Sequence, residues 1–358
     1  MTMQPVIKLY PMITLSQLPG RTTRINGSDY LFFSGYSYLG LGALPEFQEW
    51  VSEGIRHYGV VYPSSRVSNT PLELYERLET ALARFTGTEA AATFSSGFLS
   101  ARTAVEVAAQ YLPVYALPQT HPASTGLPGV TVIHDRWETF LEQRLQAGET
   151  QFALAADSIR PTPGVINDFG FLQQVPPECR ILLLLDDSHG IGWMGAAGQG
   201  AAEQLRLPAH VELLHHFSLS KAFHLNGGAI CGSREWIGRI RQHVNYATST
   251  PLMPALAHAW LESEALRNEQ RRLLLRNIAH LQKLSATTTF VRNGGTPVFV
   301  VDIQGIAAQL LDRHIIISSF SYPDPQHAAV NRVVINALHT LADLETLVAV
   351  LHEQQNQP

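Results

Sequence analysis

The run Ile181-Leu182-Leu183-Leu184-Leu185, closed by Asp186-Asp187-Ser188-His189-Gly190, constrains this chain more than any other segment. Five consecutive branched apolar residues with no polar alternate read as a strand buried on both faces, the mark of a parallel sheet. Such a strand carries Asp186 to its C-terminal end, where open α/β sheets bind their ligands. Lys221 follows 35 residues after Asp186, in Ser218-Leu219-Ser220-Lys221-Ala222-Phe223, beyond the next apolar run at 211–214. A lysine in a polar loop after that run can reach the same crevice.

The surrounding pattern agrees. Between residues 90 and 214, apolar runs at 90–94, 129–133, 152–156, 181–185 and 211–214 alternate with helical spacing at 99–109 and 137–146. That alternation predicts βαβ units and a mostly parallel sheet. Residues 30–33 read as a short strand, and 46–58 and 72–85 as helices. The second helix is expected to be capped by Asn69-Thr70, with Pro71 at its first position. Residues 254–284 carry one long helical pattern; 297–301, 315–318 and 332–336 read as strands, and 340–354 as a closing helix. The expected organisation is an arm and short strand over 1–42, a large α/β domain over 43–250, and a smaller α+β domain over 251–358 that packs with the arm.

Composition narrows the possible functions. At 358 residues and 45% hydrophobic, the chain can build two domains of about 150 residues. Only 15% of residues are charged, against about 25% in an average soluble protein, which hints at surface hidden in an oligomer. The net charge of −5, without a basic run, recommends no nucleic-acid partner. Cys179 and Cys231 are the only cysteines and make no disulfide framework. Residues 1–10 lack the apolar core of a signal peptide, and no stretch approaches the ~18 apolar residues of a membrane span. A soluble, cytoplasmic protein is expected, with no membrane partner and no metal site.

A carboxylate that can hold a pyridine nitrogen protonated, with a lysine that can form a Schiff base, is the minimum kit for pyridoxal phosphate. These two motifs, followed by Asn226-Gly227-Gly228-Ala229, resemble the α-oxoamine synthases, fold-type I enzymes that use this cofactor. Further matches run in the family's order. They are Tyr38-Leu39-Gly40-Leu41, Ser65-Arg66-Val67-Ser68, Phe94-Ser95-Ser96-Gly97-Phe98, His121-Pro122-Ala123-Ser124, Tyr246-Ala247-Thr248-Ser249 and Arg332-Val333-Val334-Ile335-Asn336. The resemblance implies a mostly parallel seven-stranded sheet in the large domain, pyridoxal 5'-phosphate as cofactor, and a homodimer with shared active sites. It also implies condensation of an amino acid with an acyl thioester, on coenzyme A or a carrier protein, with loss of CO2. Another reaction on the same scaffold (an aminotransferase or lyase), or a catalytically impaired homologue that still binds the cofactor, are the alternatives.

Residue roles follow from two sources. Read from the chain itself, Ser96, Gly97 and Phe98 sit where a strand turns into a helix, and free N–H groups at a helix start bind phosphate. Asp186 faces the ring nitrogen. The resemblance implies that Lys221 forms the Schiff base, that Ser218 contacts the phosphate, and that His121 stacks on the ring. It places His189 near the ring oxygen, Ser158 among the cofactor contacts, and Thr248 on the phosphate of the neighbouring subunit. Arg332 would fork onto the amino-acid carboxylate, as a planar guanidinium can and lysine cannot. The chain also departs from the family. Tyr36 replaces an asparagine at the substrate, Pro122 is inserted after His121, Leu154 stands where an acidic residue precedes Ser158, and an arginine is missing near Ser319-Phe320. Asp187 is expected to cap the next element, and His215-His216 to be structural.

Overall fold

The computed structural model describes residues 13–160, 162–321 and 329–355. The chain opens with a hairpin of β1 (Thr22–Ile25) and β2 (Ser28–Phe33), followed by helices α1 (Pro45–Tyr58) and α2 (Glu73–Thr86). Strand and helix then alternate through β3 (Ala90–Phe94), α3 (Gly97–Ala109), β4 (Val114–Ala116), the one-turn α4 (Pro122–Thr125), β5 (Val130–Val132), α5 (Trp137–Gln146) and β6 (Gln151–Asp157). Two short strands, β7 (Ile159–Arg160) and β8 (Val165–Ile166), precede β9 (Arg180–Asp186), β10 (Val211–Ser218) and β11 (Gly228–Gly232). Helices α6 (Arg234–Gln242), α7 (Val244–Thr248), α8 (Pro254–Glu262) and α9 (Glu264–Ser285) come next. The last elements are β12 (Val291–Arg292), β13 (Val298–Val301), α10 (Ile306–Leu311), β14 (Ile315–Phe320), β15 (Val330–Val334) and α11 (Leu341–Gln355).

The larger of two compact units comprises residues 45–160 and 167–268. Its seven-stranded sheet has the order β3-β11-β10-β9-β6-β4-β5. β10, β9, β6, β4 and β5 pair in parallel, and β11 runs antiparallel to both its neighbours. Alternation along β9 sends Leu182 and Leu184 to one face, with Ala104, Val105 and Leu214, and Leu183 and Leu185 to the other, with Phe152 and Leu154. Both faces are covered, so the run reads as continuously apolar. The sequence reading missed β4 and β11, since one is three residues long and the other begins and ends in glycine.

Other expectations need correction. α2 starts at Glu73 from Leu72, without a side-chain cap. Asn69-Thr70-Pro71 lies ahead of it in a turn, where the Thr70 carbonyl accepts the Tyr62 hydroxyl and the Thr70 N–H donates to Ser68 Oγ at 3.3 Å. The long helical pattern at 254–284 breaks at Ser263, whose hydroxyl turns back to the Trp260 carbonyl at 3.1 Å and accepts Arg267 at 2.9 Å. Residues 251–268, expected in the C-terminal domain, fold with the larger unit. α8 packs on α1 there because Gly54 lacks a side chain, and a Cβ on it would lie 2.7 Å from the Ala255 Cα and carbonyl oxygen.

The smaller unit gathers the described residues of 13–44, 162–166 and 269–355. Its six-stranded sheet runs β1-β2-β14-β15-β13-β12, with β2 and β14 parallel. The β1–β2 hairpin went unread, although Asn26-Gly27 signals it: both residues have positive φ, 50° and 86°, as the tight two-residue turn requires. Arg21 ties the start of β1 to the last helix through a two-pronged pair with Asp343 at 2.7 Å.

The α1–α8 contact leads to a stability prediction. Gly54→Ala should lower the urea unfolding midpoint of the larger unit by the equivalent of about 1–3 kcal/mol, the usual range for overpacking. Gly238→Ala on α6, where nothing lies within 4 Å of the new Cβ, should leave the midpoint unchanged or raise it. Equal midpoints for Gly54→Ala and the parent would show that the two helices do not depend on this close approach.

Candidate active site

Parallel pairing sets three titratable side chains in one row. Asp157 at the end of β6 is in register with Asp186 at the end of β9, and Asp186 with His216 on β10. All three lie on the face that carries Ala155, Leu184 and Leu214, two residues earlier on each strand. Asp186 Oδ1 accepts the Ser188 N–H at 3.0 Å, and Oδ2 lies 4.0 Å from His216 Nδ1. Burial pushes the Asp186 carboxyl up, but His216, Lys221 and the Ser188 hydrogen bonds outweigh it and hold the group at about 2. Asp157 goes the other way. Burial and then the charge of Asp186 raise it well above the usual carboxylate range, against the His121 N–H at 3.2 Å. Two adjacent buried carboxyls cannot both ionise cheaply, and the one with the donors keeps the charge.

Lys221, half-buried, reaches the same place from the loop after β10. Its Nζ lies 2.8 Å from His189 Nε2. Burial lowers the proton affinity of Lys221, and Asp186 and Asp157 restore part of it. The chain has only three lysines, Lys8, Lys221 and Lys283. Lys8 falls outside the described residues, and Lys283 is exposed on α9.

The opposite face of the strand ends is structural. Fully buried Asp187 accepts the Ser158 hydroxyl at 2.5 Å, the Ala201 N–H at 2.8 Å and His215 Nε2 at 3.0 Å. Gly190 and Gly200 press against this carboxylate so closely that a Cβ on either would overlap it. The expectation that Asp187 serves the next element therefore holds, since Ala201 opens the turn at 201–204. Ser158 needs correction: its hydroxyl is engaged by Asp187, on the face away from Asp186. The acidic residue looked for at Leu154 is also a matter of register. Leu154 is a core residue, and the carboxylate this strand contributes is Asp157. The sequence reading passed over Asp157, although an apolar run closed by a carboxylate is the same signal that picked out Asp186. It also set aside His216, which the row places beside Asp186.

The start of α3 forms a cradle. Ser96 caps the helix, its Oγ accepting the Leu99 N–H at 3.1 Å. The N–H groups of Gly97 and Phe98 have no partner within the helix, as at any helix start. A Cβ on Gly97 would lie 2.4 Å from Ser218 Cβ, and one on Gly228 would lie 2.4 Å from Ser100 Oγ and 2.6 Å from Gly97 Cα. Only glycine lets the helix start, the end of β10 and the start of β11 meet this closely. Ser218 Oγ lies 2.7 Å from Ser220 Oγ. Phe98 is 53% exposed, so its backbone, rather than its ring, belongs to the cradle. A helix N-terminus flanked by two hydroxyls suits a phosphate.

His121 caps the short α4, with its Nδ1 accepting the Ala123 N–H at 3.1 Å. Burial pushes its pKa down, so the ring is neutral and its proton sits on Nε2. Pro122 occupies the first helical position, which explains how the chain tolerates the insertion. Thr248 makes none of these contacts. It ends α7 exposed, its hydroxyl turned to the Val244 carbonyl at 2.8 Å. Arg66 of the Ser65-Arg66-Val67-Ser68 motif anchors that segment, donating to the Tyr246 hydroxyl at 2.9 Å and to buried Glu79 at 2.7 Å.

Arg332 and Tyr36 belong to the smaller unit. Arg332 lies mid-way along β15, 1% exposed, with its guanidinium 4.4 Å from the centre of the Phe320 ring. Its Nε and Nη2 have no hydrogen-bond partner among the described residues. Burial raises the Tyr36 phenol, and the charge of Arg332 opposes that shift. A buried guanidinium with open donors is a receptor for a planar anion.

The donor set fits pyridoxal phosphate on this chain's own geometry: a glycine cradle at a helix start, an ionised carboxylate at a strand end, and a lysine of lowered pKa. A test separates the cradle from the rest. Ser218→Ala should weaken binding of pyridoxal phosphate roughly tenfold or more, the scale of a hydrogen bond to a charged group. Binding of pyridoxal, which lacks the phosphate, should not change. Equal losses for both compounds in a fluorescence titration would remove Ser218 from the phosphate site.

Comparison with known proteins agrees with this geometry. Residues 141–351 match the family model for aminotransferase class I and II. The 8-amino-7-oxononanoate synthase of Stutzerimonas stutzeri is 30% identical, over 96% of this chain and 93% of that protein. Among solved structures, the serine palmitoyltransferase of Sphingomonas wittichii superposes with a TM-score of 0.81 at 19% identity, covering 94% of this chain and 90% of the other. The 8-amino-7-oxononanoate synthase of Francisella tularensis does so with a TM-score of 0.73 at 22% identity, covering 91% and 98%. The structural likenesses establish the fold.

Proposed function

The chain belongs to the class I and II aminotransferase family, within it to the α-oxoamine synthases, pyridoxal-phosphate-dependent acyltransferases of fold-type I, and from that premise we propose that it condenses an amino acid with an acyl thioester, on coenzyme A or a carrier protein, with loss of CO2. Of the family's reactions, that of 8-amino-7-oxononanoate synthase is favoured, which would place the chain in biotin biosynthesis. The support is the relative of that name, matched over nearly its whole length. The observation that carries the reading is the cluster of Lys221, His189, Asp186 and Asp157 at the strand ends.

Bound there, pyridoxal phosphate supplies a carbonyl for an amine and a ring that accepts the electron pair left when a bond to the α-carbon breaks. The chain's residues supply the setting. The start of α3 at Gly97 and Phe98, capped by Ser96, holds the phosphate with Ser218. Asp186, held ionised, would keep the ring nitrogen protonated. His121, held in one tautomer by Ala123, would lie against the ring. Lys221 is the amine that would take up the cofactor's carbonyl, and its Nζ would be placed to carry a proton afterwards. Burial lowers its proton affinity, which favours the free amine that a base requires, and His189 Nε2 is within hydrogen-bond reach to steady that proton. Arg332 binds the substrate carboxylate, and Tyr36, beside it, shapes that end of the site. Ser158 acts one step removed, through Asp187.

We further propose a cytoplasmic homodimer in which Thr248 reaches the partner's phosphate. Its exposed position beside the Arg66 anchor and the low charged fraction support that assembly. Among the described residues no helix is long and apolar enough to cross a membrane.

The scarcity of lysine sharpens the first test. Borohydride reduction of the loaded protein should fix the cofactor to the peptide that contains Lys221, and Lys221→Ala should abolish the trapping while leaving the fold intact. A reduced adduct on Lys8 or Lys283 refutes the assignment. Adding acyl-CoA with candidate amino acids should then release free coenzyme A. An amino acid that reacts without that release favours the aminotransferase or lyase reading.

Arg332 tests the substrate end. Arg332→Ala should leave the absorbance of the bound cofactor unchanged and weaken binding of the amino acid by about 2–4 kcal/mol, the cost of removing one partner of a desolvated charge pair. Arg332→Lys should recover part of the loss, since a point charge replaces a fork. An alanine variant that binds the amino acid as tightly as the parent removes Arg332 from this role.

A further inference from the structure

His216 is completely buried, and neither ring nitrogen has a hydrogen-bond partner among the described residues. Its surroundings do not account for an imidazole. On β11 it is in register with Ile230, and its face of β10 continues to Leu214, in a core layer with Leu184 and Phe94. A valine or leucine would pack there without leaving polar atoms unmet, and buried polar groups without partners are rare because they cost stability. The titratable groups around it are Asp186 and Asp187 at the end of β9, His215 beside it on β10, and His121 on α4, with Lys221 and Asp157 facing Asp186. Asp187 is already occupied by Ser158, Ala201 and His215. One carboxylate oxygen remains at ion-pair distance, Asp186 Oδ2, 4.0 Å from His216 Nδ1 and set opposite it by the β9–β10 register.

We propose that His216 is a positioning residue for the cofactor's ring nitrogen, gripping Asp186 Oδ2 from the neighbouring strand so that the carboxylate is presented ionised and in one orientation. The inference rests on the reading that Asp186 faces that nitrogen. Ser188 already holds Oδ1 from within the β9 loop, and His216 would complete the hold from the other side. Burial lowers the pKa of His216 and so favours the neutral ring, which can still donate an N–H. A movement of about 1 Å brings Nδ1 within ordinary hydrogen-bond distance of Oδ2. Such a donor adds no buried positive charge to compete with the protonated ring, and it favours the ionised form of Asp186 over a proton shared with Asp157.

The test compares two ligands on the metal-free apoprotein: pyridoxal phosphate and its carbocyclic analogue, in which carbon replaces the ring nitrogen. Both have the same phosphate and carbonyl, and only the first can use Asp186. The parent should prefer pyridoxal phosphate. His216→Val should lose about tenfold in affinity for pyridoxal phosphate and keep the parent's affinity for the analogue. His216→Asn, which can donate from its amide, should recover most of the loss. Equal weakening of both ligands would make His216 a structural residue, and unchanged affinity for both would leave it without a role; either overturns the proposal. If the valine variant does not fold, the asparagine variant decides alone, through the same ratio of affinities: a preference kept near the parent's supports the proposal, and a loss of affinity equal for both ligands overturns it. A parent that binds both ligands equally would overturn the role of Asp186 itself, which separates that failure from a failure of the inference.

Discussion

The site depends on the parallel register of β6, β9 and β10. Because the strands run in the same direction and pair in register, Asp157, Asp186 and His216 face the same way at about the 4.8 Å spacing of paired strands. A shift of one residue in either pairing would turn a member of the row to the opposite face. Continuous burial of the leucines beneath prevents that shift. Leu182 and Leu184 fill one layer and Leu183 and Leu185 the other, so slippage would break both. The apolar run that makes the strand legible is thus also what fixes its carboxylate in place.

Two glycine contacts complete the arrangement by removing bulk. Gly97 and Gly228 let the start of α3, the end of β10 and the start of β11 approach within distances that any side chain would prevent. That closeness puts the N–H groups of a helix start beside the Ser218 hydroxyl. Asp187 works from the other face, binding Ser158, Ala201 and His215 and holding the loop at 187–200 against its own carboxylate. His189 belongs to that loop, so its distance from Lys221 depends on the network around Asp187. One of the two adjacent aspartates therefore secures the loop while the other joins the row with Asp157 and His216, and strand alternation decides which does which.

Much of this was legible in the sequence where local pattern and burial agree. The strand that ends in Asp186, the helix that opens at Gly97 and the loop of Lys221 all follow from apolar runs bounded by polar or glycine residues. The hidden features were those set by tertiary contact. Ser158 looked like a cofactor contact by motif, but its direction depends on where β6 ends, and that end is Asp157. The boundary of the larger unit lies within α9, because Gly54 draws α8 onto α1, a contact between residues some 200 positions apart that no local pattern announces. His215 and His216 were read together as structural, and only the register divides them, one to Asp187 and the other to Asp186.

In the smaller unit one residue resists a purely structural explanation. A guanidinium buried to 1% exposure, with two of its three nitrogens unpaired among the described residues, has surrendered its hydration. The Phe320 ring face at 4.4 Å returns some of that energy as a cation–π contact. It cannot accept the N–H donors, which lie in the plane of the guanidinium. Tyr36 adds bulk where the family has an amide, and Phe320 lies where the family often has an arginine, so both changes make the surroundings less polar. Lower polarity would strengthen the pull of Arg332 on a carboxylate brought to it and penalise a neutral group in its place. On the proposed reading, the departures would concentrate carboxylate recognition on a single arginine, and discrimination among amino acids would fall to the shape of Tyr36 and Phe320 while Arg332 demands only the charge.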